Sequence, residues 1–165
     1  MILAVDVDYK GNNATVAGIL YKNWTDKKPF KKYISKVKSV KKYIPGQFYK
    51  RELPCILKLL DEHNLKPKII VIDGYVYLDG TTKPGLGKYL FDELNSTTPV
   101  IGVAKNPYKD ITSPFEIYRR DSKRPLYVTS AGISVGIAKK KILVMAGKYR
   151  IPDLLRLVDQ FARQS

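Results

Sequence analysis

Two aspartates in this chain stand where a carboxylate is hard to accommodate. Asp6 interrupts the apolar run Ala4-Val5-Asp6-Val7, and Asp73 closes the run Ile69-Ile70-Val71-Ile72. A buried carboxylate without a partner is costly, and two of them on neighbouring strands can share a cation. Glu52, between Arg51 and Leu53 at the start of a segment that reads as a helix, is a third candidate. An all-oxygen ligand set suits Mg²⁺ or Mn²⁺, which keep positions open for water and a substrate phosphate. Such a centre generates hydroxide and stabilises an in-line displacement at phosphorus. Asp8 shares the face of Asp6; it either adds a ligand or is a solvated strand end. Lys105 follows the apolar run 100–104, and either faces a scissile phosphate near the acids or is one more surface lysine. Taken singly, each acid also has a structural reading: a turn at Asp73-Gly74, a lysine-paired surface acid at Glu52.

These side chains need a scaffold. Residues 2–9 alternate as a strand, with Ile2, Ala4, Asp6 and Asp8 on one face. A turn at 10–13 and a second strand at 14–21 suggest a hairpin, and 30–37 reads as a third strand. Pro45-Gly46 breaks the chain before a helix over 51–63, with Pro54 placed in its first turn. The continuous apolar runs 69–72 and 100–104 read as strands buried on both faces. A helix is expected at 88–94, a long exposed loop at 106–125, and further strands at 126–129 and 142–145. Residues 152–163 form an amphipathic helix with Leu154, Leu155, Val158 and Phe161 on one face. Antiparallel strands followed by alternating helices and strands predict one α/β domain over 1–165, a central mixed sheet flanked by helices.

The composition narrows the chemistry. One cysteine (Cys55) and one histidine (His63) exclude a disulfide framework, a Cys-rich zinc site and multi-histidine metal sites, and make Ser-His-Asp catalysis improbable. The start of the chain lacks the pattern of a secretory signal, and no apolar run has the length of a membrane span; a cytoplasmic location is expected. Thirty basic against fifteen acidic residues give a net charge of +15, a field that attracts polyanions, nucleic acid first. Between residues 21 and 51 lysines are interleaved with Tyr21, Trp24, Phe30, Tyr33, Tyr43, Phe48 and Tyr49, with Asp26 as the only acid. Lysines neutralise phosphates and aromatic rings stack on unpaired bases; the other reading is a solvated face over core aromatics. Tyr43-Ile44-Pro45-Gly46, behind Lys41 and Lys42, is the stiff apolar tip that a wedge between base steps requires. The glycine-rich segment 80–88 is not a nucleotide-phosphate loop, because Tyr89 follows Lys88 where Ser or Thr is needed.

In this order, the pieces resemble the endonuclease V family of metal-dependent nucleases. Ala4-Val5-Asp6-Val7-Asp8-Tyr9 is similar to its first-strand motif. Tyr43-Ile44-Pro45-Gly46 with Phe48 and Arg51-Glu52-Leu53-Pro54 is similar to its wedge and catalytic Glu segment. Val71-Ile72-Asp73-Gly74 is similar to its second Asp, Ile101-Gly102-Val103-Ala104-Lys105 to its lysine strand, and Tyr149-Arg150-Ile151-Pro152-Asp153 with Arg156 to its tail. The resemblance implies an RNase H-like fold. It implies Asp6, Glu52 and Asp73 as catalytic ligands of Mg²⁺ (with Mn²⁺ as a substitute), and Lys105 as a catalytic residue at the phosphate. It further implies a wedge of Tyr43, Ile44 and Pro45, a base pocket at Gly46, Gly74, Val76 and Gly102, and backbone contacts from Lys42, Arg51, Tyr149 and Arg150. The implied activity is hydrolysis 3′ to inosine or deoxyinosine, leaving 3′-hydroxyl and 5′-phosphate ends, in DNA repair or RNA processing. It is carried by a monomer with no nucleotide cofactor and no membrane partner. The sequence departs from the family in two places. Ser130-Ala131-Gly132 stands where a Gly-His is usual, and Val76 stands where a second glycine is often found. These leave room for a nuclease selecting another lesion or structured substrate, or for a nucleic-acid-binding module without catalysis.

Overall fold

The computed structural model describes residues 1–40, 42, 44, 45 and 47–165. Its strands form one sheet, among the described residues, in the order β3-β2-β1-β4-β5-β7-β6. The hairpin β1 (Ile2–Lys10) and β2 (Asn13–Tyr21) turns at Gly11, whose φ of 61° suits a residue without a side chain. β3 (Lys31–Val37) extends it as an edge strand rich in lysine, the usual guard against edge-to-edge pairing. β4 (Ile69–Asp73) and β5 (Val100–Ala104) join in parallel, each behind a helix: α1 (Phe48–Glu62) and α2 (Leu86–Glu93). β6 (Glu116–Ile117) and β7 (Leu126–Ala131) close the other edge, and α3 (Val135–Val144) and α4 (Asp153–Gln164) follow.

Alternation along the strands divides the core between two layers. Leu3, Val5, Ile70 and Ile72 pack with Cys55, Ile56 and Leu59 of α1 and Leu90 of α2. Ile2, Ala4, Val71, Ile101 and Val103 pack with Ala138 and Ile142 of α3 and Leu154, Val158 and Ala162 of α4. The mixed α/β sheet flanked by helices is the one expected, and it is RNase H-like. Among the described residues no helix is long and apolar enough to cross a membrane.

Three expectations need correction. Residues 142–145 are not a strand; Ile142 to Val144 end α3. Four apolar residues cannot distinguish the two states; here the Ser134 hydroxyl caps the helix by accepting from Ile137 N, and Ala138 and Ile142 bury one side four residues apart. α1 begins one turn earlier than expected, so Pro54 lies inside the helix rather than in its first turn. The 106–125 segment is not uniformly exposed. It contains a short 3₁₀ turn, strand β6, and Arg119, which is 1% exposed with its guanidinium donating to the carbonyls of Tyr149, Arg150 and Met145.

Candidate active site

The parallel pairing of β1 with β4 sets the site. Its rungs run from Ile2↔Ile69 to Val5↔Ile72, so the next residue on each strand is a carboxylate: Asp6 and Asp73. Both side chains fall on the α3/α4 face, because Ala4 and Val71, two residues before them, pack there. On β5, Ile101 and Val103 share that face, so Lys105 follows them to it, and its ammonium lies 3.6 Å from Asp73 Oδ2. Glu52 enters from α1 in the opposite layer and is 4% exposed. Asp6, at 7%, accepts from Val7 N at 2.9 Å.

The electrostatics show how strained this gathering of acids is. Burial, reinforced by the Asp73 and Asp159 carboxylates against the Val7 amide, pushes the Asp6 carboxyl up to about 8. Burial raises Glu52 well above the usual carboxylate range, with Asp6 and Asp73 adding to it. Burial raises Asp73 as well; the Lys105 ammonium opposes that rise and Asp159 adds to it. Asp159 is the participant the sequence reading missed. It stands on α4, where its carboxylate raises Asp6, and is held on its other side by Arg163 at 2.7 Å.

This arrangement has the chemistry of a cation site. All its donors are oxygens, and Glu52 Oε2 is buried with no hydrogen-bond partner. Next to it are two further orphaned polar atoms: the Tyr9 hydroxyl and Arg51 Nε, with the Arg51 guanidinium 3.6 Å over the Tyr9 ring. Buried polar atoms are rarely left unpaired, and each such atom invites a partner. Among the described residues no group of three or more Asp, Glu, His or Cys side chains stands close enough together to hold a metal ion as placed. A divalent cation would suit these oxygen donors by compensating the charges whose burial, with their mutual repulsion, raises Asp6 and Glu52.

Beside Asp73 opens a cavity of about 260 Å³, walled by Phe48, Tyr49, Gly74, Tyr75, Leu86 and Tyr108 among others. The Tyr75 hydroxyl donates to Asn106 O at 2.7 Å and accepts from Tyr108 N at 3.0 Å, which fixes that wall. Tyr49 stacks on Tyr89 with ring centres 3.8 Å apart.

Similarity to known proteins points the same way. The family model for endonuclease V matches residues 1–117. The chain belongs to the endonuclease V family. It is 32% identical over 145 residues to endonuclease V of Streptomyces coelicolor, covering 73% of this chain and 59% of that one. To endonuclease V of Streptomyces avermitilis it is 33% identical over 147 residues, 74% and 61% of the two chains. It thus spans about three fifths of the length of these relatives. In fold it is similar to Ciona intestinalis endonuclease V in complex with a 24mer DNA containing an inosine followed by a ribo-adenosine. That match has a TM-score of 0.80 at 20% identity and covers 99% of this chain and 84% of that one. The Streptomyces avermitilis structure superposes with a TM-score of 0.77 at 24% identity, over 99% and 79% of the two chains.

Against the endonuclease V pattern, the other residues fall as follows. Ile44 and Pro45 are exposed at a turn closed by Gln47 N donating to Ile44 O, and Lys42 is exposed; Tyr43 and Gly46 lie outside the described residues. Gly74 lines the cavity, but Val76 does not. Its side chain is fully buried against the α1/α2 layer, because Val76 N donates to Thr129 Oγ1 and turns the chain inward. Gly102 is likewise behind the wall; a Cβ there would meet Gly74 O at 2.5 Å, so its bareness lets the segment after β4 pass close to β5. Tyr149 is 63% exposed. Arg150 is not a free backbone contact: its guanidinium donates to Pro125 O and to Lys105 O, so it clamps the end of β5. The stretch Ser130-Ala131-Gly132, where a Gly-His was looked for, pairs with the start of β5 at Val100, at the end of the sheet away from Asp73. Asp159 of α4, rather than that segment, stands beside Asp6.

Proposed function

We propose that this chain is a divalent-metal-dependent endonuclease that hydrolyses the phosphodiester backbone 3′ to inosine or deoxyinosine. The observation that carries the reading is the convergence of Asp6, Asp73, Glu52 and Asp159 at the end of the parallel strands, with Lys105 on Asp73, beside an aromatic-walled cavity. A flipped purine ring fits such a cavity, and enzymes that inspect bases commonly take them from the stack this way. That the Ciona relative is described with inosine-containing DNA supports the same substrate here.

Asp6, Glu52 and Asp73 would hold Mg²⁺ or Mn²⁺, with Asp159 at their side. A bound ion of this class supplies Lewis acidity and a water of lowered pKa. The chain's own residues do the rest. Lys105 sets a positive charge where negative charge grows on the phosphoryl oxygens. The cavity at Gly74 orients the base, and exposed Ile44 and Pro45 stand ready to hold the stack open. The water oxygen bonds to phosphorus as the bond to the 3′ oxygen breaks; that oxygen takes a proton, leaving a 3′-hydroxyl and a 5′-phosphate.

The test uses labelled DNA and RNA oligonucleotides with and without one inosine, incubated with Mg²⁺, Mn²⁺ or EDTA. A metal-dependent cut just 3′ of inosine, absent from Asp6→Ala, is expected. Intact binding with no cut under any metal would overturn the catalytic reading, and equal cutting of plain substrates would overturn the inosine one.

A further inference from the structure

We propose that a groove at the far end of the β1–β2 hairpin is a phosphate-binding subsite that holds the nucleic-acid strand a few nucleotides from the bond to be cut. The inference rests on the endonuclease reading and extends it to the path of the substrate.

The groove has a volume of about 290 Å³, and Lys10, Asn13, Thr15, Lys36, Lys38 and Ser165 are in its wall, with no acidic side chain among the lining residues and the Ser165 carboxylate held by Lys10. Its lysines keep free donors. Lys36 Nζ gives one hydrogen bond, to the buried Thr15 hydroxyl at 3.0 Å, and Lys10 Nζ gives two, to the Arg163 carbonyl and the Ser165 carboxylate. An ammonium has three N–H groups, so two remain on Lys36 and one on Lys10. No aromatic ring lines the groove, unlike the cavity at Gly74. It suits a phosphate and offers nothing for a base to stack on.

Register ties it to the active site. Asp8 pairs with Thr15 and Thr15 with Lys36, so this row lies two residues beyond Asp6 on the same sheet face. With strands about 4.8 Å apart and a rise of about 3.3 Å per residue, Lys36 stands roughly 12 Å from Asp6 across the sheet. Asp8, the acid in this row, is not in the groove wall. Residues 22–42 carry nine lysines and the single acid Asp26, whose carboxylate is engaged by the amides of Lys22 and Asn23. Beyond Asp8 and the last turn of α4, a strand leaving the carboxylates on this side reaches a surface dominated by lysines.

The experiment measures binding of fluorescein-labelled inosine oligonucleotides, DNA and RNA, to protein carrying Asp6→Asn so that nothing is cut. Each is made short, extended 5′ of the inosine, or extended 3′. Lys36→Gln/Lys38→Gln is compared with Lys66→Gln/Lys68→Gln, an equal charge loss at exposed positions beside the start of β4, the opposite end of the sheet. The first pair should weaken binding about tenfold and lower the slope of log K against log salt by about 1.5, near the 0.7–0.9 expected per lost phosphate contact. The effect should appear only on oligonucleotides extended to one side; the second pair should change neither quantity. A loss in only DNA or only RNA upholds the subsite and names its strand. Equal losses from both pairs, an equal loss on the short oligonucleotide, or no loss would overturn it. Lys36→Arg/Lys38→Arg, which keeps the charge, should retain the slope and separates lost contacts from lost folding. Protein with native Asp6 that binds with this flank dependence but never cuts refutes the endonuclease reading and leaves the subsite standing; one that cuts without the flank dependence does the reverse.

Discussion

Replacing Asp6 by Asn should make the metal-free protein more stable while removing its response to divalent cations. The carboxyl ionises near 3.8 when unperturbed and is pushed up to about 8 in the fold. Between those values the folded chain keeps a proton that the unfolded chain has released, so this group lowers stability as pH rises from about 4 to about 8. At pH 7 the gap is about three pH units, and at about 1.4 kcal/mol per unit the cost approaches about 4 kcal/mol. Asn is nearly isosteric, still accepts from Val7 N, and carries no proton whose release the unfolded chain can gain from. We expect a gain of about 2–4 kcal/mol at pH 7 in EDTA, a rise in Tm of about 5–15 °C for a chain of this size. At pH 4.5 the gain should shrink to about 1 kcal/mol, because little of the penalty has yet accrued there. The assay is calorimetric or circular-dichroism melting at both pH values, with EDTA and then with Mg²⁺. Wild-type protein should gain stability with Mg²⁺ and the variant should not. A variant no more stable than wild type at pH 7 in EDTA would refute the claim that these carboxylates strain the fold.

Lys105→Ala should lower the cleavage rate about 10²–10³-fold in single-turnover assays, the usual effect of removing a group placed where charge develops. Mg²⁺ should raise the Tm of the wild-type protein more at pH 9 than at pH 7, because the Asp6 proton competes with the ion below about 8; thermal shift at several Mg²⁺ concentrations checks this. Gly102→Ala should cost about 1–3 kcal/mol in denaturant unfolding, because the added methyl has to displace the Gly74 carbonyl 2.5 Å away. Arg150→Ala frees the carbonyls of Lys105 and Pro125; a loss of about 2–3 kcal/mol is expected, with slower cleavage that Arg150→Lys only partly restores.

Asp6, Asp73 and the strand ahead of Lys105 were legible because a charge inside an apolar run needs an explanation, and the strand period then fixes its face. Glu52 was a weaker candidate than the aspartates, because its local pattern alone does not separate it from a surface acid, and the resemblance made the stronger case for it. Asp159 was hidden by its own neighbourhood. It borders the apolar stripe of α4 and has Arg163 four residues on, which reads as an ordinary surface pair. Only the crossing of α4 over β1 brings it to Asp6, and that is a tertiary fact. Arg119 and Arg150 were unreadable for a similar reason: their burial is made by carbonyls distant in sequence. Val76 was misplaced because a motif position does not say whether a side chain turns toward the cavity or behind it. The 142–145 segment failed where a short apolar run serves helix and strand alike.

The parallel rungs of β1 and β4 end one residue short of both aspartates. A slip of β4 by a single residue would turn Asp73 under the α1/α2 layer and present Ile72 in its place. The hydrophobic penalty alone is weak protection, since the run Ile69-Ile70-Val71-Ile72 is apolar on both faces and tolerates either setting. The carboxylate at its end does not. A divalent cation held by both aspartates would bind only the aligned strands, so the ion proposed for cutting would also favour, during folding, the register that sets them side by side.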